Sequence, residues 1–181
     1  MILVISPRIA VPEEELHALI QEGFRGVGKD DVEVQVVANR SRWVFSGRAW
    51  PERPTRRVTS AKTRYLVEIS MPRSPSAEGF PYRWRYPRLK TAPRLEAASW
   101  QERLVALSAH EAYHVRQFRL GMRKSEVTAE RWAARALDRF RSGQLGSDIS
   151  TTTGRWSDAR AMSSSNGTRA VRSARSRVRK T

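Results

Sequence analysis

The chain reads as an α+β protein, a small antiparallel or mixed sheet followed by a pair of packed helices, on three observations. Residues 31–38, DVEVQVVA, alternate valine with polar partners at the strand period of two, and residues 63–72, TRYLVEISMP, are a second run of β-formers. From Ser99 onward the apolar spacing switches to the helical period. A length of 181 residues suits one domain with a real core.

Taken in order, MILVISPRIAVPEEE opens on a short apolar run with no basic residue ahead of it and meets Pro7 soon after, which is not the make-up of a signal peptide. Residues 12–24, PEEELHALIQEGF, place Pro12, Glu13, Glu14 and Glu15 in the first turn of an N-terminal helix, where carboxylates suit the positive end of its dipole. Leu16, Leu19 and Ile20 then share one face, and Gly23 and Gly26 close the helix. Val32, Val34 and Val36 share one strand face; after residues 39–41 the segment RWVFSG resumes with β-formers, so the two are expected to pair as a hairpin. In residues 63–72, Tyr65, Val67 and Ile69 lie on one face and Pro72 ends the strand.

SWQE, residues 99–102, is a capping box: Ser99 takes the Glu102 amide and Glu102 reaches back. The helix it starts has no Gly or Pro until Gly121, a natural residue just past a helix end. Ser125 is a second N-cap, followed by the amphipathic EVTAERWAARALDRFR ending near Gly143. A connection this short makes the two helices antiparallel neighbours. Beyond Gly143 the composition falls to Ser, Thr, Gly and Arg, so the expected organisation is a domain over 1–143 and a basic, disordered tail over 144–181.

Lys and Arg number 34 against 18 Asp and Glu, a formal net charge of +16, which attracts nucleic acid or an acidic protein. Cysteine is absent, so disulfides, thiolate metal sites and cysteine nucleophiles are excluded and any metal ligands come from His and carboxylates. No stretch reaches the roughly 18 to 20 apolar residues of a membrane helix, so a membrane partner is not expected and a cytoplasmic location is. The excess of Arg over Lys and the many Ala residues point to a GC-rich genome, actinobacterial or that of a phage infecting such a host.

The residues with chemical potential are His110, Glu111 and His114 in HEAYH. Histidines four apart lie on one helix face, so both can point a ring nitrogen at one tetrahedral metal, and zinc fits such ligands. The glutamate between them is placed to take the proton of a metal-activated water during attack on a carbonyl. Leu104, Leu107, Val115 and Phe118 form an apolar arc that also contains Glu111, a costly place for a carboxylate unless a metal site compensates it. The rival reading is an amphipathic helix with two solvated histidines. His17 is the only other histidine and reads as a surface residue, so the third ligand is sought among carboxylates. Counting from a turn near Met122 favours Glu130; the helical wheel, on which Ala129, Trp132, Ala133, Ala136, Leu137 and Phe140 are buried, favours Glu126.

HEAYH followed by Glu126-Val-Thr-Ala129-Glu130 resembles the gluzincin pattern, HExxH and then ExxxD or ExxAD on a following helix. EVTAERWAA is also similar to the corresponding helix of ImmA/IrrE-type peptidases, and small zincins of this layout resemble ones encoded by phages. The resemblance implies a zincin-like fold and a zinc peptidase with His110, His114 and Glu126 as ligands, Glu111 as general base, and Glu130 orienting a ligand histidine. Glu130 stands where that pattern has Asp or Asn, and the interval from His114 to Glu126 is short for it. The same analogy makes the strand over residues 65–71 the sheet edge that pairs with an extended protein or peptide substrate.

Two basic segments complete the reading. FPYRWRYPRLK, residues 80–90, interleaves aromatics with Arg83 and Arg85, which suits stacking of single-stranded bases, or else a proline-pinned loop anchored by its aromatics. In the tail, Arg172, Arg175, Arg177 and Arg179 suit a tether to nucleic acid or an acidic protein. The alternative to a peptidase is therefore a nucleic-acid-associated or phage structural protein with an inactive zincin-like fold.

Overall fold

The structure, a computed structural model, describes residues 1–51, 63–85 and 91–149, with side chains described up to Gly143. It is an α+β arrangement of three helices, a four-stranded mixed sheet and a two-stranded ribbon. The order along the chain is β1 (Ile2–Ile5), α1 (Glu13–Gly23), β2 (Val32–Asn39), β3 (Ser46–Trp50), β4 (Tyr65–Pro72), β5 (Tyr82–Trp84), β6 (Leu95–Ala97), α2 (Trp100–Arg119) and α3 (Glu126–Ile149).

In the sheet the spatial order is β1-β2-β4-β3, with β1, β2 and β4 parallel and β3 antiparallel to β4. The expected hairpin of residues 31–38 with RWVFSG does not form, because β4 lies between β2 and β3. The cause is visible in burial. Tyr65, Leu66, Val67, Ile69 and Met71 are all buried, so β4 needs neighbours on both sides, whereas the short β3, with Ser46 and Arg48 exposed, tolerates an edge. The expected edge role of residues 65–71 passes to β3 for the same reason. The opening apolar run also becomes a strand, β1, paired with β2.

Helix α2 packs against β3 and β4 and is flanked by α1 and α3, so nearly its whole circumference is covered. Leu104, Val105, Ala109, Ala112 and Val115 join Leu16, Ile20, Phe24, Val34, Val67 and Ile69 in one core. Each fully buried large aliphatic side chain there contributes about 1.5–3 kcal/mol. The Ser99 cap forms, with the Glu102 amide donating to Ser99 Oγ at 3.3 Å, while the Glu102 carboxylate reaches one residue further back than a capping box requires and accepts from the Ala98 amide at 2.7 Å. Gly121, at φ +62°, follows the end of α2. Helix α3 continues to Ile149, so the boundary expected at Gly143 falls inside it. A lone glycine costs a helix only about 1 kcal/mol relative to alanine and does not terminate it without a capping geometry. Residues 150–181, most of the expected tail, lie outside the described residues.

Candidate metal centre

The HEAYH segment sits in the second half of α2, on the side facing the start of α3 and the edge strand β3. Because α2 and α3 are joined through Gly121 and the N-cap Ser125, the first turn of α3 comes back over the two histidines. His110 Nε2 lies 3.0 Å from Glu126 Oε2, His114 Nε2 lies 3.3 Å from the same oxygen, and the two Nε2 atoms are 3.0 Å apart. Three donor atoms therefore form a nearly equilateral triangle. Ligands of a tetrahedral zinc at about 2.0–2.1 Å stand about 3.3 Å from one another, so the cluster has the dimensions of such a site. Glu126 is thus the carboxylate that meets both histidines, and its other oxygen pairs with Lys124 at 3.1 Å.

The outer ring nitrogens are held separately. His110 Nδ1 is 3.2 Å from Glu130 Oε1, and His114 Nδ1 is 2.8 Å from Gln117 Oε1. The Gln117 acceptor at His114 Nδ1 and the Glu130 carboxylate beside His110 Nδ1 favour the tautomer whose Nε2 lone pairs point inward, the arrangement metal-ligating histidines require. Gln117 is itself fixed by the Ser125 amide, Thr128 Oγ1 and the Arg123 carbonyl. Sequence reasoning missed Gln117, which lies outside the apolar arc of α2 and is buried against the start of α3.

Glu111 is buried beside β3, and one of its carboxylate oxygens accepts from the Ala49 amide. Its Oε2 is buried without a hydrogen-bond partner, as is Oε2 of Glu130. A buried carboxylate oxygen left unpaired is expensive, and both stand next to the cluster, which fits a site built around a group not otherwise supplied by the chain. Gly47 leaves no room to spare, since a Cβ there would come 2.7 Å from Glu111 Cγ and 2.8 Å from Oε1. Neither Gly47 nor Ala49 was identifiable from local sequence, because their neighbour is more than sixty positions away.

The protonation of the metal-free cluster follows from its packing. Burial works against a charged His110, but hydrogen bonds to Glu126 and Glu130 outweigh it and lift the imidazole to about 9. Burial lowers His114 to about 4, helped by the neighbouring His110 and Lys124 charges. Glu111 is raised above the ordinary carboxylate range, chiefly by burial, and Glu126 is held well below it, chiefly by its hydrogen bond to His110.

Of the basic residues that the sequence singles out, Arg83 is on β5 and ion-paired with Glu96, while Tyr82 and Trp84 stack on each other and carry the Arg103 guanidinium over their rings. Exposed Arg85 lines, with Trp84, Arg103 and Leu107, a cavity of about 290 Å³ that reaches His110 and Glu130. Residues 86–90 and Arg172, Arg175, Arg177 and Arg179 lie outside the described residues. Among the described residues no helix is long and apolar enough to cross a membrane. Comparison with protein families, with curated proteins and with solved structures finds no match to this chain.

Proposed function

We propose that the chain is a zinc-dependent peptidase of zincin-like build. One observation carries the reading: three donor atoms converge at zinc-site spacing, with Gln117 bonded to the outer nitrogen of His114 and the Glu130 carboxylate beside that of His110. Two imidazoles and one carboxylate with an open fourth position are a ligand set of catalytic zinc, whereas hard-cation sites use oxygen ligands. When bound, the ion acts as a Lewis acid and lowers the pKa of a water towards about 7.

The chain's own residues do the rest. Glu111 holds the Ala49 amide with one oxygen and takes the proton of the attacking water at Oε2, then delivers it to the leaving amine nitrogen. Its burial makes it a stronger base than an exposed glutamate, which favours the first transfer. Glu130 and Gln117 keep the imidazoles oriented. The edge strand β3 runs beside Glu111, so a substrate in extended conformation has a strand to lie along, and peptide is the substrate class with that shape.

The test is a metal analysis of purified protein beside a casein digestion, for the wild type and Glu111→Gln. Both proteins should carry about one zinc, and only the wild type should digest, with a loss of roughly 10²- to 10⁴-fold or more in the variant. A zinc-loaded wild type that cleaves no unfolded protein would instead favour the nucleic-acid-associated or phage structural reading.

A further inference from the structure

The parallel strands β2 and β4 end side by side, Asn39 opposite Pro72. The loops that leave them diverge around a groove of about 480 Å³ whose walls include Arg40, Arg42, Trp43 and Arg73. The groove has a distinct composition. Three arginines face a single acid, Glu78, and serine hydroxyls line the floor. Arg40, Arg42 and Arg73 are exposed, and among the described residues none of their guanidinium groups has a hydrogen bond or ion pair.

The loop presenting two of them is braced from within. Asn39 Nδ2 donates to the Val44 carbonyl at 2.8 Å, the Ser41 amide donates to Asn39 Oδ1 at 3.0 Å, and the Trp43 and Val44 amides both donate to Ser41 Oγ. With these groups bonded internally, the loop leaves Arg40, Arg42 and Trp43 exposed. Trp43 is 41 % exposed, an unfavourable place for an indole. Its six-membered ring lies against Gly79, where a Cβ would come within 2.7 Å of Cε3, so the indole is backed there by main chain while part of it stays open to solvent.

We infer that this groove binds single-stranded nucleic acid, the arginines taking successive phosphates and Trp43 stacking on an unpaired base. Unpaired guanidiniums match phosphate oxygens, and a fixed, half-exposed indole offers a face to which any base can stack. An acidic peptide would satisfy the arginines but leave the indole without a planar partner, and duplex nucleic acid has no free base face to offer. The inference does not rest on the peptidase reading: the groove contains none of His110, Glu111, His114 or Glu126.

The test measures anisotropy of a labelled oligothymidylate titrated with the full chain at several salt concentrations. Three variants are compared with the wild type: Arg40→Ala/Arg42→Ala/Arg73→Ala, Trp43→Ala, and Arg131→Ala/Arg135→Ala on the exposed side of α3 as a charge control. The groove variant should lower the log–log salt slope by about 2, at roughly 0.7 for each phosphate no longer neutralised, and the control should leave it near the wild-type value. Trp43→Ala should weaken oligothymidylate roughly 5- to 150-fold without changing competition by poly-glutamate, and Trp43→Phe should recover most of that affinity. Variants are compared at matched thermal unfolding profiles. A wild-type salt slope in the groove variant, equal weakening of oligothymidylate and poly-glutamate binding in Trp43→Ala, or tighter binding of duplex than of single strand would each overturn the inference.

Discussion

Two polar clusters join the same pair of helices, and they are finished differently. Towards the start of α2, Glu102 accepts from the Ala98 amide and from Arg141 Nε and Nη2 at 3.0 and 2.6 Å, while Arg141 also donates to the Glu96 carbonyl at 2.8 Å. That clamp is closed, with both carboxylate oxygens engaged. Two turns later along α2, the His110, His114 and Glu126 cluster brings three acceptor-capable atoms to one point and leaves Glu111 Oε2 and Glu130 Oε2 buried without partners. A closed buried network specifies how elements dock; an open one is a standing cost that a ligand can relieve. Substitutions in the two clusters should therefore separate, one set moving metal and activity, the other moving stability.

The largest effect expected is loss of the ion. His110→Ala/His114→Ala should carry no stoichiometric zinc, and Glu126→Ala should not bind it tightly, whereas Arg141→Ala should retain it. Chelation should lower the unfolding temperature of the wild type but not of the double variant, since a ligand that binds only the folded state stabilises it by mass action. Stoichiometric zinc in the double variant would end the comparison in its present form.

Next comes Gly47→Ala. The added methyl comes 2.7 Å from Cγ of the buried Glu111 side chain, so the carboxylate must move, whereas no atom of His110, His114 or Glu126 is among the groups nearest the added methyl. Displacement of a reacting group by about 1 Å costs on the order of 10²-fold in rate. The expected outcome is a fall of that order in kcat with zinc content unchanged; a matching loss of zinc would mean that β3 supports the ligands themselves.

A smaller, graded effect is expected from the residues that hold the outer nitrogens. Glu130→Ala and Gln117→Ala should each weaken zinc affinity by roughly 10- to 100-fold. A zinc titration in which Glu130→Ala is worse than Glu126→Ala would reverse the ligand assignment. The pH dependence has a definite sign. His110, lifted to about 9 in the metal-free chain against the pull of burial by Glu126 and Glu130, is protonated at neutral pH, so binding the ion must release that proton. Apparent affinity should rise by up to about tenfold per pH unit towards pH 9 and then level off, with proton release visible by calorimetry in buffers of different ionisation enthalpy. No release at pH 7 would show that His110 is neutral before the ion arrives.

What is legible in the sequence divides along the same line. Helices α2 and α3, the Ser99 and Ser125 caps, and the pairing of His110 with His114 follow from spacings of three and four residues, which a helix enforces locally. That Glu126 and not Glu130 meets both Nε2 atoms depends on how α3 packs on α2, and local spacing left the two carboxylates open. The sheet order did not follow, because nothing local in Val32–Asn39 or Ser46–Trp50 says that β4, arriving later, will be inserted between them. Gly47 and Ala49 touch Glu111 only through that nonlocal arrangement. The groove at Arg40, Arg42 and Arg73 was hidden for the same reason, since two loops thirty residues apart become neighbours only when β2 and β4 pair in parallel. Arg141 was not singled out by the sequence either, because it meets Glu102, thirty-nine positions away, only through the packing of α3 on α2.

The smallest effect expected is on the clamp. Arg141→Ala leaves Glu102 with only the Ala98 amide, and an unsatisfied buried acceptor costs about 1–3 kcal/mol. Arg141 is 39 % exposed on its side chain, so water replaces part of what it supplied and about 1–2 kcal/mol is the appropriate range. The sign of the pH dependence supplies a second readout. Burial alone would raise the Glu102 carboxyl, but Arg141 and the Ala98 amide more than offset it and hold it below its ordinary value. A carboxyl depressed in the folded state contributes stability that is complete above its unfolded pKa of about 4.3 and fades as pH falls through the folded value. Denaturant unfolding at pH 7 should therefore show the wild type more stable than Arg141→Ala, with the gap narrowing below pH 4 as Glu102 is protonated in both proteins. Zinc content should be equal in the two. A gap that persists unchanged at low pH would mean that Arg141 acts by packing its aliphatic stem against α2 rather than through the Glu102 carboxylate.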